Sequence, residues 1–413
     1  AILEYIPAPE KIEGPVQTQV ATLDYSEYVG RIGIGRVYRG TLELGKPLTL
    51  IKRDGSTQPA NIKQLFTFAG LERKETDKVE CGDLCAIVGI EGIDISDTIA
   101  DAEHPEAMPP IAVDEPTISM LFRVNDSPLF GKDGKYISSR HLRERLYNEM
   151  ERDVALRVED YSGDAFKVSG RGVLHLSILI ENMRREGYEF AVSKAEVLYH
   201  YDENGKKLEP MEIAVIDVPE EFTGAVIEKL SQRKGELQNM TAANGGYARL
   251  EFSIPSRGLI GYRGEFMTDT KGNGILNTLF DGYGPYKGDI QYRKQGSLIA
   301  YEAGETITYG LFNAQERGTL FVGPGEKVYG GMVIGQTGKT EDIEINVCRS
   351  KKLTNTRASG SDDALKLSPP KILSLEQALE FIDTDELLEI TPENIRIRKK
   401  ILDPTMRKRA KFS

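Results

Sequence analysis

Cysteine, histidine and long apolar runs are all scarce in this chain. Three cysteines among 413 residues, an odd number, cannot build a disulfide framework and point to a reducing, cytoplasmic setting. Cys81 and Cys85 form a lone CxxxC with no second pair and no histidine cluster nearby. That spacing suits small buried side chains better than a metal ion. No apolar run approaches about 18 residues, so nothing in the chain reads as a membrane span, and no signal peptide opens it. The four histidines, His104, His141, His175 and His200, are scattered. They show no HExxH spacing and no Ser or Cys partner at a recognisable distance.

Phosphate-binding and catalytic motifs fail on spacing. GQTGKT ends like a phosphate loop at Gly338, Lys339 and Thr340, but position 333, where the first glycine of the cradle belongs, is Val. In GRIGIGRVYRG, Tyr38 stands where a dinucleotide fingerprint needs its third glycine, and a β-turn explains Gly33 and Gly35 better. Carboxylates are plentiful, yet sequence alone pairs no two of them across a cleft. No catalytic constellation is predicted, and no metal site.

Glycine is what the chain has in quantity: 41 residues, favouring many turns and β-rich domains. At a prior of about 150 residues per domain, the length suggests two to four. The opening AILEYIPAPE reads as the last turns of a helix cut from a longer protein. Residues 12–110 are short strands punctuated by glycine, the pattern of a small closed β-barrel. PTISMLFRVND then opens a β-α-β-β-α-β order, with helices at SSRHLRERLYNEMERD and 172–186, the ferredoxin-like unit. The same order recurs from MEIAVIDV to GILNTLF, a repeat of elements rather than of sequence. The remainder is β-rich and then carries a helix opened by a capping box, Ser374 with Gln377. The fold class is multidomain α+β, with domains at 1–113 (barrel), 114–200 and 201–289 (ferredoxin-like α/β sandwiches) and 290–413 (β-rich, with a basic loop).

Charge is uneven. The net −11 argues against a general nucleic-acid coat. Yet residues 372–390 carry six acids and no base, whereas residues 391–413 carry eight bases and two acids, an asymmetry that hints at nucleic acid. The stretch KKLTNTRASGSDD is stranger. From Arg349 to Ser361 there are four cations (Arg349, Lys351, Lys352, Arg357) and no acid, with Thr354, Asn355, Thr356 and Ser359 adding short donors and acceptors. Cations suit phosphate oxygens, and short polar groups suit 2′-hydroxyls. Without an aromatic platform the loop 349–363 is expected to read RNA backbone and shape. Arg396, Arg398, Lys399 and Lys400, with Arg407, Lys408 and Arg409, are expected to form a supporting basic face. In NIRIRKK, Ile395 and Ile397 would pack while the alternate arginines meet phosphate.

These segments together resemble a known family. GRIGIGRVYRGTLELGKPLTL is similar to the second domain of translational GTPases. DAFKVSGRGVLHLSILIENMRREGYEFAVSKAEVLY resembles the third domain of the elongation factor G group, and PMEIAVIDVPEEFTGAVIEKLSQRKGELQNM the fifth. KKLTNTRASGSDD with the stretch through NIRIRKK resembles the TypA/BipA family in particular, and the match runs through essentially the whole chain. LepA shares the absence of a fourth domain but not this loop; Gly264 departs from an expected Ser or Thr. The resemblance implies a cytoplasmic, ribosome-binding GTPase acting in 50S subunit assembly, translation and stress adaptation. It further implies 23S rRNA and A-site tRNA contacts through the C-terminal region, no membrane, and a monomer. GTP or GDP with magnesium would belong to a domain ahead of Ala1, so the present chain is expected to be no enzyme itself. Arg257, Tyr262, Arg263 and Lys271 are second-rank ribosome contacts. The alternatives are a LepA- or elongation-factor-G-like translocation fragment and a scaffold that binds only protein.

Overall fold

Short glycine-punctuated strands do form between residues 17 and 101, and those described all pair antiparallel. A computed structural model describes residues 5–26, 28–111, 115–243, 245–290, 293, 295–350 and 366–410. It divides into two compact units, Ala1–Glu115 with Glu144–Arg157, and Pro116–Arg143 with Val158–Ser413.

In the first unit eight strands pair in the path Thr57–Ala60, Leu48–Ile51, Thr98–Asp101, Gln17–Ser26, Gly30–Arg39, Leu84–Val88, Gln64–Ala69, Glu72–Glu75. Among the described residues no pairing joins the two ends of this path, so the closure expected of a barrel is not found. The ends themselves resist pairing. Pro59 removes a donor at one edge, and Glu72, Arg73, Lys74 and Glu75 at the other are all exposed. One face still buries a single cluster that includes Val20, Val37, Leu50, Leu65, Ile87 and Ile99. Cys85 lies in it, and burial pushes its thiol up to about 12.

Gly33 and Gly35 are not in a turn. They lie mid-strand, and Gly35 sits opposite Val20 beside a register shift. A Cβ at Gly35 would fall on the Gln19 carbonyl oxygen, so the glycine is required by backbone approach, not by conformation.

Along the chain from residue 118 the predicted order is observed. It runs β1 (Ile118–Val124), α1 (Ser139–Arg152), β2 (Arg157–Ser162), β3 (Ala165–Gly170), α2 (Val173–Arg185) and β4 (Phe190–Ser193). The next set is β5 (Lys207–Pro219), α3 (Thr223–Gln232), β6 (Glu236–Ala243), β7 (Tyr247–Pro255), the short helices α4 (Ser256–Leu259) and α5 (Tyr262–Asp269), and β8 (Ile275–Pro285). Both sheets have one spatial order, β2-β3-β1-β4 and β6-β7-β5-β8. In the latter, Val226, Leu230 and Phe266 from the helices bury Ile216, Leu250 and Phe252 of the strands.

The C-terminal region adds β9 (Ser297–Ala300), α6 (Thr308–Gln315), β10 (Met332–Thr337), β11 (Ile343–Ile345), α7 (Leu375–Phe381), β12 (Glu386–Ile390), β13 (Ile395–Lys399) and α8 (Pro404–Ala410). The capping box forms: Ser374 Oγ accepts from Gln377 N–H at 3.3 Å, and Gln377 Oε1 accepts from Ser374 N–H at 3.1 Å. Strand β12 pairs antiparallel with β4, Phe190 opposite Ile390. One sheet therefore runs β2-β3-β1-β4-β12-β13-β10-β9-β11 without a break.

Valine at position 35 should destabilise the first unit. Overpacking typically costs about 1–3 kcal/mol, so Gly35→Val is expected to lower the unfolding free energy of the full chain by that amount in a denaturant titration, whereas Gly224→Ala, in open space on the helical backbone of α3, should not.

Candidate nucleic-acid interface

Most cations assigned to the basic face are spent inside the fold. Strand β13 is not a half-exposed strand; it lies between β12 and β10, and Arg398 and Lys399 are each 1% exposed. The acidic and basic runs are two strands of one antiparallel pair. Glu386 stands opposite Lys399, and Glu389 opposite Arg396.

Around Lys399 the carboxylates are close on every side. Its Nζ lies 2.8 Å from Asp342 Oδ2, 3.0 Å from Asp385 Oδ2 and 3.0 Å from Glu386 Oε1. Fully buried Glu386 also accepts from Arg293 Nη1 at 2.9 Å, Ser297 Oγ at 2.6 Å and Asp383 N–H at 2.9 Å. Burial alone would push the Glu386 carboxyl up; Lys399 and Arg293 outweigh it and hold the group below the ordinary 4.5. Burial would likewise lower Lys399, but Glu386, Asp342 and Asp385 raise it.

Three positions along, Glu389 is buried as well. It accepts from Tyr329 Oη at 2.7 Å, Ser127 Oγ at 3.0 Å and Arg396 Nη1 at 3.0 Å. Burial, then the Glu389 charge, pushes the Tyr329 phenol far up. Arg396 reaches Asp133 at 3.3 Å, and Arg398 pairs with Asp126. Arg407 turns inward to Glu344 at 2.6 Å and donates to the Ile401 carbonyl.

The expected basic face is corrected accordingly: Arg396, Arg398, Lys399 and Arg407 are paired with carboxylates of the same fold, while Lys400, Lys408 and Arg409 are exposed. Among the second-rank residues, Arg257 is buried against Glu209, with the Gly288 carbonyl at 2.6 Å, and Tyr262 belongs to the core beneath α3. Both side chains are buried, against the exposure expected of a contact residue. Arg263 and Lys271 are exposed.

Arg349 is exposed at the start of the basic loop. Lys351, Lys352, Thr354, Asn355, Arg357 and Ser359 lie outside the described residues. Both flanks of the segment are tied to α6. Ile307 N–H donates to the Val347 carbonyl at 3.0 Å, and the Gln315 side chain binds the Lys366 carbonyl at 3.1 Å and Ser368 N–H at 3.0 Å. A helix of that length spans about 12 Å, which sets the separation of the two anchors. Sequence reasoning missed Arg293 and Asp342. It could have found the pairing itself, because Glu386 and Glu389 are spaced as Arg396 and Lys399 are.

Comparison with known proteins defines the class. Residues 30–100 match the family model for elongation factor Tu domain 2, residues 206–294 that for the elongation factor G C-terminus, and residues 295–404 that for the TypA/BipA C-terminal domain. Those are domains of translational GTPases. Curated relatives named "Large ribosomal subunit assembly factor BipA" align over nearly all of the chain. The protein of Escherichia coli O6:H1 is 48% identical over 99% of this chain and 68% of its own length. That of Haemophilus influenzae is 50% identical over 99% and 67%, and that of Synechocystis 49% over 97% and 67%. The chain belongs to the TypA/BipA family. A solved chain from Thermus thermophilus superposes at TM-score 0.42 with 16% identity, over 67% of this chain and 56% of that one, too little to bear on function. BipA proteins are GTPases, so the expectation that this chain is no enzyme is overturned by matches that cover 99% of it.

Removing one partner of a buried ion pair costs about 3–5 kcal/mol. Lys399→Met is expected to lose stability of that order in a denaturant titration, whereas exposed Lys400→Met should stay within roughly 0.5 kcal/mol. The pH dependence has a definite sign. The stability that Glu386 gains from its lowered pKa is present above 4.5 and is lost as pH falls through the folded value. Thermal melts of the wild type should therefore drop below pH 4.5 more steeply than those of Glu386→Gln.

Proposed function

We propose that this chain acts on the large ribosomal subunit as an assembly and translation factor, and that it holds RNA through the segment 349–363. The observation that carries this reading is family membership extending through residues 295–404, among relatives named as large ribosomal subunit assembly factors. The structure contributes a sorting of cations. Those of β13 are consumed by carboxylates. The groups proposed to meet phosphate are Arg349, Lys351, Lys352 and Arg357 of the loop, with the exposed Lys400, Lys408 and Arg409. Contacts with 23S rRNA and A-site tRNA, a role in stress adaptation, a cytoplasmic location and a monomeric state belong to the same proposal. No described helix is long and apolar enough to cross a membrane.

Domain boundaries near 113, 201 and 290 are proposed with it. The limits of the family models at 206 and 294–295 support the last two, and the repeated strand order supports a ferredoxin-like reading of both middle domains. GTP and magnesium enter with the family. The GQTGKT stretch does not fit them: Val333 lies within β10, paired to β9 and β13, and no step of hydrolysis is assigned to it.

Binding of the chain to 50S subunits across a salt series tests the loop. Four phosphate contacts should contribute about −3 to −4 to the slope of log K against log salt. Arg357→Ala should reduce the slope by about 1 without unfolding; it is a more informative position than Lys351, because its planar fork can hold a phosphate with two bonds. Replacing 354–360 by an equal length of Gly and Ser should weaken binding further. Unchanged affinity and slope in both variants would remove RNA contact from the function of this loop.

A further inference from the structure

Strand β8 has one unguarded edge, and we propose that it is a strand-addition site for an extended, cation-bearing segment of a partner protein. Residues 275–280, Ile-Leu-Asn-Thr-Leu-Phe, contain no charge, no proline and no glycine. They pair in register with residues 212–217 of β5 along one side only. Among the described residues no backbone hydrogen bond from 275–280 reaches any other element. Such an edge templates another strand unless something blunts it.

Every other long edge among the described strands is blunted. Thr57–Ala60 holds Pro59, Glu72–Glu75 is wholly charged, and β2 carries Arg157, Glu159 and Asp160. Strand β6 has a register shift within its apolar stretch, between Leu237 and Asn239, whereas that of β8 falls beyond residue 280, and β11 is three residues long. The molecule also contains its own precedent. The fourth strand of the first split unit, β4, is covered by β12, whereas its counterpart in the second, β8, is left open.

The side chains say what would lie there. Ile275 is 59% exposed and Leu279 70% exposed, and Leu279 stands beside Ile213 on β5. Asn277 separates the two apolar residues, and exposed Asp281 follows them at the register shift that ends the regular pairing. An antiparallel segment that offers a cation, an apolar residue, an amide and an apolar residue at alternate positions would match the row. A second copy of the chain matches less well. Each copy carries a net −11, which opposes self-association. An edge of six residues, about 20 Å long, is also too short to bury the roughly 1,200 Å² of a stable interface. A segment tethered to a larger partner needs only modest local affinity.

The probe is a labelled peptide, RTLTQTI, titrated into the full chain by fluorescence anisotropy, with a scrambled peptide as control. Saturable binding is expected, together with slower amide exchange confined to 275–280. Leu279→Lys, a change at an exposed position that places a charge on the edge, should weaken it about tenfold or more. The unfolding transition should stay where it was, and Asn277→Lys should act alike. The proposal is overturned if the peptide fails to saturate, if the scrambled peptide or Leu279→Lys binds equally well, or if sedimentation shows a wild-type dimer that Leu279→Lys dissolves.

Discussion

Everything around the C-terminal sheet depends on one constraint: three buried charges, Glu386, Glu389 and Lys399, and the half-buried Arg396 must be neutralised on two adjacent central strands. Glu386 faces Lys399 and Glu389 faces Arg396, and all four are then completed by Arg293, Ser297, Asp342, Tyr329 and Asp133. A buried pair of this kind returns little net stability, since desolvation offsets most of the attraction. What it fixes is register. Sliding β13 by one residue would oppose Glu389 to Ile395 or Ile397 and leave carboxylates unpaired, so only one alignment of the hairpin is tolerable. That alignment also sets β12 against β4, and with it the continuity of the sheet.

The same network decides how the chain can meet a polyanion. A basic run in sequence is an electrostatic footprint only where its charges stay on the surface. Here four of the seven cations after residue 395 that were assigned to such a face are already paired with acids of the same chain. The exposed remainder is small, and a protein with a net −11 gains phosphate affinity from a few placed cations rather than from its overall field.

Local pattern made much of this fold legible. The capping box at Ser374, the helix ending near Arg185 and the twice-repeated element order all follow from short-range signals, and each is found where expected. Non-local facts were not legible. Alternation in NIRIRKK predicts one packed and one wet face, but whether a strand has neighbours on both sides is decided by distant residues, here Met332 and Val333 of β10. Gly35 is similar: a mid-strand close approach and a turn leave the same mark in sequence. Closure of a barrel is likewise a property of its end strands, where Pro59 and the charged run 72–75 weigh more than the glycine rhythm between.

The pairing of β4 with β12 has a temporal side. Phe190 and Ile390 are partners, and 200 residues separate them. A ribosome elongating at about 5–20 residues per second would finish β12 some 10–40 s after β4 has emerged. For that interval the first split unit is complete apart from the neighbour that covers its last strand. The nascent chain must carry an open apolar edge while those 200 residues are made, and the continuous sheet forms only after them.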